Sequence, residues 1–325
     1  MAELAGRTVK PKVIVSKCLG FDACRYNGQV IRDEFVKKLK EFVDYVPVCP
    51  EVEIGLGVPR FPIRIIRKDG RLRLFQPATG RDVTDRMNVF SDKFLSSVDE
   101  ADGFILKSRS PSCGVKDVRV YAKAEKAPSV GKGAGFFGGI VLDRFLGLAI
   151  EDERRLKSIR IREHFLTKLF AVARFRTVKK SGKMRDLVSY HTQHKLLLMS
   201  YSQKELRFLG NVVANRDRQP LSEVLAEYEG HLYRSMGLSP KRTSNINVLT
   251  HVLGYFRDLS GKEKQFFLKT LQLYRKGRVP FTSTLRLAKA WAVRFQNEYL
   301  LQQTFFDPYP TDLMEWSDAG RPINL

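Results

Sequence analysis

The chain has 325 residues and a formal net charge of +22, from 57 lysine and arginine residues against 35 aspartate and glutamate residues. Hydrophobic residues make up 43% of it, which excludes a disordered low-complexity chain and leaves enough apolar material for about two domains. No run approaches the ~18 uninterrupted apolar residues that span a bilayer, and the first residues lack a signal-peptide pattern. We therefore expect a cytoplasmic protein that does not bind membranes.

Charge, cysteine content and periodicity divide the chain near Lys157. Residues 1–157 contain all four cysteines and carry a net charge of +8, whereas residues 158–325 carry a net charge of +14. Short apolar runs alternate with helical periods in the first part, which is typical of an α/β sheet, and the second part has long helical periods. We predict an α/β domain with a largely parallel sheet at residues 1–157 and an all-α domain at residues 158–325.

The first domain is predicted to alternate strands and helices. In chain order these are a strand at 12–16, a helix whose apolar face is Ile31, Phe35, Leu39 and Phe42, a strand at 45–48, a hairpin at 63–75 that turns at Asp69-Gly70, a helix at 84–98 with Met87, Phe90, Phe94 and Val98 inside, and a strand at 103–107. This order is that of a sheet with crossover helices.

In the second domain, helical periods predict helices at 163–175, 190–201, 222–236, 246–256, 263–275 and 285–301. His191 and His194 lie at positions i and i+3 of one of these helices and could share a metal ion. Because no companion carboxylate or cysteine is identifiable, we interpret both as ordinary helix residues.

Three of the cysteines follow predicted strands. Cys18 comes after VIVSK, Cys49 after YVPV and Cys113 after FILKSRSPS. The carboxyl ends of parallel strands meet at one edge of a sheet, so we expect the three thiols to converge in one crevice. Soft thiolates suit zinc or an iron–sulfur cluster, and four unrelated thiols remain an equal alternative at this point. Cys24 is interpreted as a packed small residue or a support for the others.

The segments VSKCLGFDACRYNG, VPVCPEVEIGLGVPR and LKSRSPSCG resemble, in this order, the signature segments of the thiouracil desulfidase (TudS) family. The second domain, with YHTQHK, NVLTHVLGYF, LYRKGRVPF and DPYPTDLM, is similar to a helical domain often fused to that family, and the combination resembles the RudS-type tRNA 4-thiouridine desulfidases. The resemblance implies a [4Fe-4S] cluster ligated by Cys18, Cys49 and Cys113, whose remaining iron takes the sulfur of a thiocarbonyl.

Removing sulfur from a ring also requires proton transfer, because the carbon gains oxygen while sulfide leaves. Glu51, two residues after Cys49, is the candidate acid or base, with a structural salt bridge as the alternative role and Glu53 as a weaker candidate. Ser110 is a candidate for holding the substrate carbonyl or a water molecule, unless it only shapes its turn. Lys107 and Ser108, where a strand enters the crevice, are further catalytic candidates.

The segment GAGFFG at 133–138 has the form G-x-G-x-x-G but is not expected to bind a dinucleotide cofactor. A dinucleotide-binding motif follows a strand, and no strand is predicted in AEKAPSVGK upstream of it. We expect instead that its glycines allow close packing of a helix at about 136–145.

The basic character of the second domain favours a polyanionic partner. Residues 174–218 contain eleven lysine and arginine residues against three acidic ones, and such density attracts phosphates. Together with the resemblance to RudS-type desulfidases, which implies 4-thiouridine, this charge leads us to expect tRNA carrying 4-thiouridine as the substrate, with its base turned out into the crevice and converted to uridine. The alternatives are desulfuration of small free thiopyrimidines such as thiouracil, and a non-enzymatic RNA-binding protein stabilised by zinc.

Overall fold

The computed structural model describes residues 9–125 and 127–314. The chain divides into two compact units, Met1–Ala173 and Arg174–Leu325. The change in charge at Lys157, from which the domain boundary is predicted, lies just before the helix in which this division falls. Within the described residues, no helix combines the length and the apolar character that a bilayer crossing needs.

The first unit contains strands and helices that alternate along the chain. In order these are β1 (Lys12–Ser16), α1 (Glu34–Leu39), β2 (Asp44–Val48), α2 (Pro50–Glu53), β3 (Arg64–Lys68), β4 (Arg71–Gln76), β5 (Arg81–Asp82), α3 (Thr84–Ser96), β6 (Gly103–Leu106), β7 (Val118–Tyr121), β8 (Ser129–Gly133), α4 (Phe136–Arg144), β9 (Ala149–Asp152) and the start of α5 (Ile159–Ser181).

Two sheets form this unit. The first has the order β2-β1-β6-β9, and all of its neighbouring strands are parallel. The second has the order β5-β4-β3-β7-β8 and is antiparallel except where β3 pairs with β7. The predicted α/β class with a largely parallel sheet is confirmed, although the hairpin at 63–75 belongs to the second sheet.

The hairpin turns where the sequence predicts it. Asp69 and Gly70 have φ angles of 50° and 75°, the left-handed pair that a tight primed turn requires. The helix predicted from Ile31 onward begins only at Glu34, because the Asp33 side chain caps it by accepting a hydrogen bond from the Val36 N–H at 3.0 Å. The Ile31 N–H bonds to the Cys18 carbonyl at 2.8 Å instead, which anchors the first thiol-bearing loop.

The buried face of α3 differs from the predicted one. Met87, Ser91 and Leu95 are buried, whereas Phe90 and Phe94 are half-buried at its side. The two phenylalanine rings stack at 5.7 Å and contact the ring of Phe137. Met87 is buried as predicted, but after it the buried positions are Ser91 and Leu95, each one residue beyond the predicted Phe90 and Phe94. The two phenylalanine rings cover α4 instead.

Long helices make up the second unit, as predicted. In chain order these are the end of α5, α6 (Met184–Tyr201), α7 (Gln203–Ala214), α8 (Leu221–Ser235), α9 (Arg242–Leu253), α10 (Gly261–Arg275), α11 (Phe281–Arg294) and α12 (Glu298–Leu301). The sequence does not reveal α7, and the helix predicted at 285–301 is in fact two helices. The chain breaks at Gln296, with φ 48°, and Asn297 caps α12 by accepting a hydrogen bond from the Leu300 N–H.

A late segment of the chain is bound to the middle of α6. The buried side chain of Gln303 accepts a hydrogen bond from the Leu196 N–H at 3.1 Å and donates one to the Thr192 carbonyl at 2.8 Å. Thr304 donates its own N–H to the Gln193 carbonyl at 2.9 Å. These bonds join the segment after α12 to the core formed by α6, α9, α10 and α11.

Candidate active site

The predicted convergence of the thiols is confirmed. Cys18 follows β1, Cys49 follows β2 directly, and Cys113 lies in the loop after β6, so all three come from the carboxyl ends of neighbouring parallel strands. Together with Cys24 they line one cavity of about 350 Å³. The strands place them there because each chain segment must leave its strand at the same edge of the sheet.

The four thiols are buried around the same cavity. The Cys49 thiol donates to the Cys24 carbonyl oxygen at 3.8 Å, and interaction with the Cys18 thiol raises the pKa of Cys24 to about 11. Interaction with the Cys24 thiol and burial raise the pKa of Cys49 well above the usual range of a thiol. Burial raises the pKa of Cys113 to about 12. Such thiols are poor nucleophiles on their own, and their ionised form is favoured only with a cation in the cavity.

Glu51 enters the same cavity from α2, the short helix that Cys49 begins. Its Oε2 atom accepts hydrogen bonds from Nε and Nη2 of Arg60 at 2.9 and 2.7 Å. Its Oε1 atom lies 2.6 Å from the hydroxyl of Ser112 and 3.4 Å from that of Ser110. The carboxylate is thus paired with a cation on one side and faces two serines on the other.

The hydrogen bonds around Ser110 and Ser112 determine to which acceptor each hydroxyl donates its proton. Ser110 Oγ accepts hydrogen bonds from the N–H groups of Ser112 and Cys113, at 3.3 and 3.1 Å. Its lone pairs are therefore engaged, and its proton points to Ser112 Oγ at 2.9 Å. Ser112 in turn donates to Glu51 at 2.6 Å rather than to the sulfur of Cys113 at 3.8 Å. The chain of hydrogen bonds leads from Ser110 through Ser112 to Glu51.

Lys107 and Ser108 also line the cavity, and a buried carboxylate holds both of them. Glu153, which follows β9, accepts hydrogen bonds from Lys107 Nζ at 2.5 Å, from the Ser108 N–H at 2.7 Å and from the Ser108 hydroxyl at 2.6 Å. The Lys107 N–H donates to the hydroxyl of Ser16 at the end of β1, at 2.8 Å. These bonds connect the ends of β1, β6 and β9 around the cavity.

The G-x-G-x-x-G segment supports the Cys113 loop. The expectation that no strand precedes it is wrong, because β8 ends at Gly133 and α4 begins at Phe136. The expected close packing is confirmed: a Cβ on Gly135 would lie 2.5 Å from the Ser112 carbonyl oxygen, and one on Gly138 would lie 2.5 Å from that of Gly114.

The same contact explains why this helix start does not have the free N–H groups of a dinucleotide site. The N–H groups of Gly135, Phe136 and Gly138 donate to the carbonyls of Gly114, Pro111 and Ser112 at 2.6, 3.0 and 2.9 Å. The first turn of α4 therefore binds the thiol-bearing loop instead of a pyrophosphate.

Three polar residues of the site are absent from the sequence-based candidates, namely Arg60, Ser112 and Glu153. Arg60 and Ser112 lie inside the segments VPVCPEVEIGLGVPR and LKSRSPSCG, which carry the family resemblance, so the segments themselves were the available signal. Glu153 had only the weak signal of an acidic residue in a charged stretch. Glu53, by contrast, is exposed and does not line the cavity.

His191 and His194 do not form a shared site. His191 Nδ1 bonds to the hydroxyl of Tyr228 at 3.1 Å, and His194 Nδ1 bonds to the carbonyl of Tyr190 at 2.8 Å. The His194 ring is fully buried and stacks on the ring of Tyr190 at 3.8 Å. Both histidines are packed helix residues, as the sequence indicates.

The donor set of the cavity is compatible with an iron–sulfur cluster. Among residues 9–125 and 127–314, no three cysteine, histidine, aspartate or glutamate side chains are arranged to hold one metal ion. Each thiolate of a cluster binds a different iron, so its sulfurs need not point at one atom. Cys18, Cys49 and Cys113 on separate strand ends around one cavity satisfy that weaker requirement.

The first unit and part of the second match known sequence families. Residues 13–153 match the family model described as 2-thiouracil desulfurase, and residues 195–310 match that of a protein of unknown function, DUF1722. The chain is 38% identical over 109 residues to the uncharacterized protein YbbK of Bacillus subtilis (strain 168), over 31% of this chain and 72% of that protein. It is 29% identical over 148 residues to the uncharacterized protein YbgA of Escherichia coli (strain K12), over 45% of this chain and 88% of that protein.

Among solved structures, the chain is similar to the [4Fe-4S]-dependent thiouracil desulfidase TudS, with 29% sequence identity and a TM-score of 0.36. The similarity covers 46% of this chain and 94% of that one. On the match of residues 13–153 to the family model and the 38% identity over 72% of YbbK, the chain belongs to the 2-thiouracil desulfurase family, named for removing sulfur from a thiopyrimidine, and it carries a DUF1722 region after that domain.

Proposed function

We propose that this protein removes sulfur from 4-thiouridine in tRNA, giving uridine, with a [4Fe-4S] cluster held by Cys18, Cys49 and Cys113. The observation that carries the proposal is the meeting of these three thiols with the Glu51 carboxylate in one cavity of about 350 Å³. A desulfurase needs a sulfur-binding group and a proton-transfer group that reach the same carbon, and this cavity supports both. The first domain, residues 1–157, would perform the chemistry and the second, residues 158–325, would bind RNA.

The overall reaction exchanges one atom of the ring for another. Water adds its oxygen to the thiocarbonyl carbon, the carbon–sulfur bond breaks, and sulfur leaves as sulfide with the two protons of the water. When bound, the cluster would supply an iron that accepts the soft sulfur and polarises the C=S bond. No electrons are gained or lost by the substrate, so the reaction requires no external reductant.

The residues of the chain supply positioning and proton transfer. Glu51, paired with Arg60, would accept a proton from the attacking water and return it to the departing sulfur. Ser110 would turn its hydroxyl proton from Ser112 to that water or to the ring carbonyl, since the N–H groups of Ser112 and Cys113 already fix its oxygen. Lys107 would place its positive charge beside the ring, with its three N–H groups held by Ser108 and Glu153.

The tRNA substrate is supported by the charge of the second domain. Its net charge of +14 exceeds what a small neutral base would require. Many of the basic side chains at 183–218 are exposed, namely Lys183, Arg185, Lys195, Lys204, Arg207, Arg216 and Arg218. Neutralising phosphates with such side chains releases counterions, so we expect activity on tRNA to fall steeply with salt.

The test is sulfide release by anaerobically purified protein from thiolated tRNA and from 4-thiouracil. Cys18→Ala, Cys49→Ala and Cys113→Ala should each lose iron, acid-labile sulfide and activity together. Cys24→Ala is the matched control, a buried thiol of the same cavity whose loss should leave the iron content intact. Glu51→Gln should retain the cluster and lose turnover by about 10²–10⁴-fold. A colourless protein that contains zinc and releases no sulfide would contradict the proposal and favour an RNA-binding role.

The second candidate function is desulfuration of free thiopyrimidines, which the description of the matching family favours. The two substrates respond differently to charge. Changing Lys204, Arg207 and Arg216 together to glutamine should weaken activity on tRNA and leave activity on 4-thiouracil unchanged. The matched control changes three exposed arginines of the first unit, Arg67, Arg71 and Arg119. Activity on 4-thiouracil alone would make the free base the substrate and remove the RNA-binding role of the helices.

A further inference from the structure

Arg60 is a buried cation in the wall of the cavity. Its side chain is only 4% exposed, and its guanidinium group makes four hydrogen bonds. Two of these go to Glu51 Oε2, one to the Cys24 carbonyl at 2.9 Å and one to the Gly57 carbonyl at 3.0 Å. One side chain thus joins the helix after Cys49, the loop that carries Cys24 and the loop before β3.

The planar shape of the guanidinium group makes this junction specific. Its donors form a rigid fork, so the two carbonyls that bind Nη1 fix the plane in which Nε and Nη2 meet the carboxylate. The other carboxylate oxygen is bound by Ser112 at 2.6 Å. Glu51 is therefore held at both oxygens, and its position relative to the Cys24 loop depends on Arg60. The Arg60 N–H also donates to the Tyr26 carbonyl at 2.8 Å, which ties the backbone of the same loop.

A purely structural ion pair does not require this arrangement. Buried pairs contribute little net stability compared with apolar groups of the same shape, because both charges lose their hydration. Here the fork meets Oε2 of Glu51 on the wall of the thiol cavity, and Oε1 faces Ser110 and Ser112, which line that cavity. Through Arg60, the position of the Glu51 carboxylate depends on the position of the loop that carries Cys24.

We propose that Arg60 is a positioning residue that fixes the Glu51 carboxylate relative to the loop carrying Cys18 and Cys24. The proposal rests on the proposed function, since it assigns a role within the same site. Arg60 acts through Glu51, and the fork geometry, rather than the positive charge alone, is what the site uses.

The first test compares Arg60→Lys with Arg60→Ala, and uses Arg64→Ala as the matched control. Arg64 also donates to two backbone carbonyls, those of Ala124 and Glu125, but lies outside the cavity. Lysine keeps the charge and loses the fork, so kcat should fall about 100-fold with KM changed less than about threefold. Iron and acid-labile sulfide per chain should equal those of the wild type. Arg64→Ala should change kcat less than about threefold.

The second test is chemical rescue, which separates the geometry of the fork from its positive charge. Millimolar guanidinium added to folded Arg60→Ala should restore kcat about tenfold, because the free cation can occupy the fork site, whereas ammonium should not. If Arg60→Ala does not fold, Arg60→Lys decides the question alone. Thermal unfolding of Arg60→Met, Glu51→Gln and the double variant needs no turnover, and the loss in Tm of the double variant should be smaller than the sum of the two single losses.

Several outcomes would overturn the proposal. The first is a kcat per iron in Arg60→Lys equal to that of the wild type. The second is a loss of kcat in Arg64→Ala as large as that in Arg60→Lys. The third is a loss in Tm of the double variant Arg60→Met/Glu51→Gln equal to the sum of the two single losses. A wild-type protein without sulfide release from any thiopyrimidine would overturn the proposed function as well. An active wild type together with a fully active Arg60→Lys would overturn only the role of Arg60.

Discussion

Two adjacent glycines in α4 should respond to alanine in opposite directions. A Cβ on Gly138 would lie 2.5 Å from the carbonyl oxygen of Gly114 and 2.6 Å from that of Cys113. A Cβ on Gly139 would meet only the Cβ of Ala134, at 3.7 Å, which is an ordinary contact. Gly138→Ala and Gly139→Ala therefore make the same chemical change in the same helix, and only the first pushes on the loop that bears Cys113.

The size of the effect follows from these distances. Carbon and carbonyl oxygen atoms rest about 3.3 Å apart or more, so the Cys113 loop must retreat by about 0.8 Å in Gly138→Ala. Overpacking of this kind costs about 3 kcal/mol at the upper end of its usual range. Alanine gains about 1 kcal/mol over glycine within a helix, so we expect a net loss of about 2 kcal/mol for Gly138→Ala and a gain of about 1 kcal/mol for Gly139→Ala.

Thermal unfolding of the full chain measures both changes. For a unit of this size 1 kcal/mol corresponds to about 2–4 °C, so Gly138→Ala should lower Tm by about 4–8 °C and Gly139→Ala should raise it by about 2–4 °C. Gly138→Ala should also lose iron, because its loop carries a proposed ligand. Equal Tm values for the two variants would refute the argument that α4 is packed against the loop through Gly138.

Three further predictions concern buried polar groups. Burial and the nearby charge of Arg174 lower the pKa of His194 to about 3, so as the pH falls the histidine is protonated in the unfolded chain before it is protonated in the folded one. The free energy of unfolding should therefore fall on the order of 3 kcal/mol between pH 6.5 and 4. The pH dependence of Tm should be shallower in His194→Phe. Gln303→Leu removes the two hydrogen bonds that join this side chain to α6 and should cost about 2 kcal/mol in urea unfolding. Glu153→Gln removes the carboxylate from Lys107 and should cost about 3 kcal/mol, whereas a neutral result would show that this buried pair adds nothing.

Patterns in the sequence identified the elements whose residues alternate strongly. The strand at Lys12–Ser16 and the hairpin at Asp69-Gly70 combine apolar periodicity with a turn signal, and both are observed. β8, with the sequence SVGKG, has no such pattern and exists because it pairs with β7 at the edge of the second sheet. The sequence does not predict β9, because acidic residues at its carboxyl end interrupt the apolar pattern. Asp152 is nevertheless buried there, and it accepts hydrogen bonds from the N–H groups of Arg154 and Arg155.

The thiols of the site could be anticipated because strand ends follow a general rule, whereas their polar neighbours follow none. Arg60 pairs with a carboxylate nine residues before it, and Glu153 bonds to a serine 45 residues before it. Which of many charged side chains pair in this way depends on how the loops pack. Such partners become visible only once the fold has placed them.

The bond between Gln303 and helix α6 also bears on how the second unit forms. Gln303 and Leu196 are 107 residues apart, so α6 is synthesised long before the side chain that completes its hydrogen bonding. On the ribosome, the bonds between that helix and Gln303 can form only after nearly all of the remaining helices have emerged. Contacts between distant parts of a chain slow folding. We therefore expect the second unit to mature late and as a whole, with its helices formed early and closed by the segment after α12 as a final step.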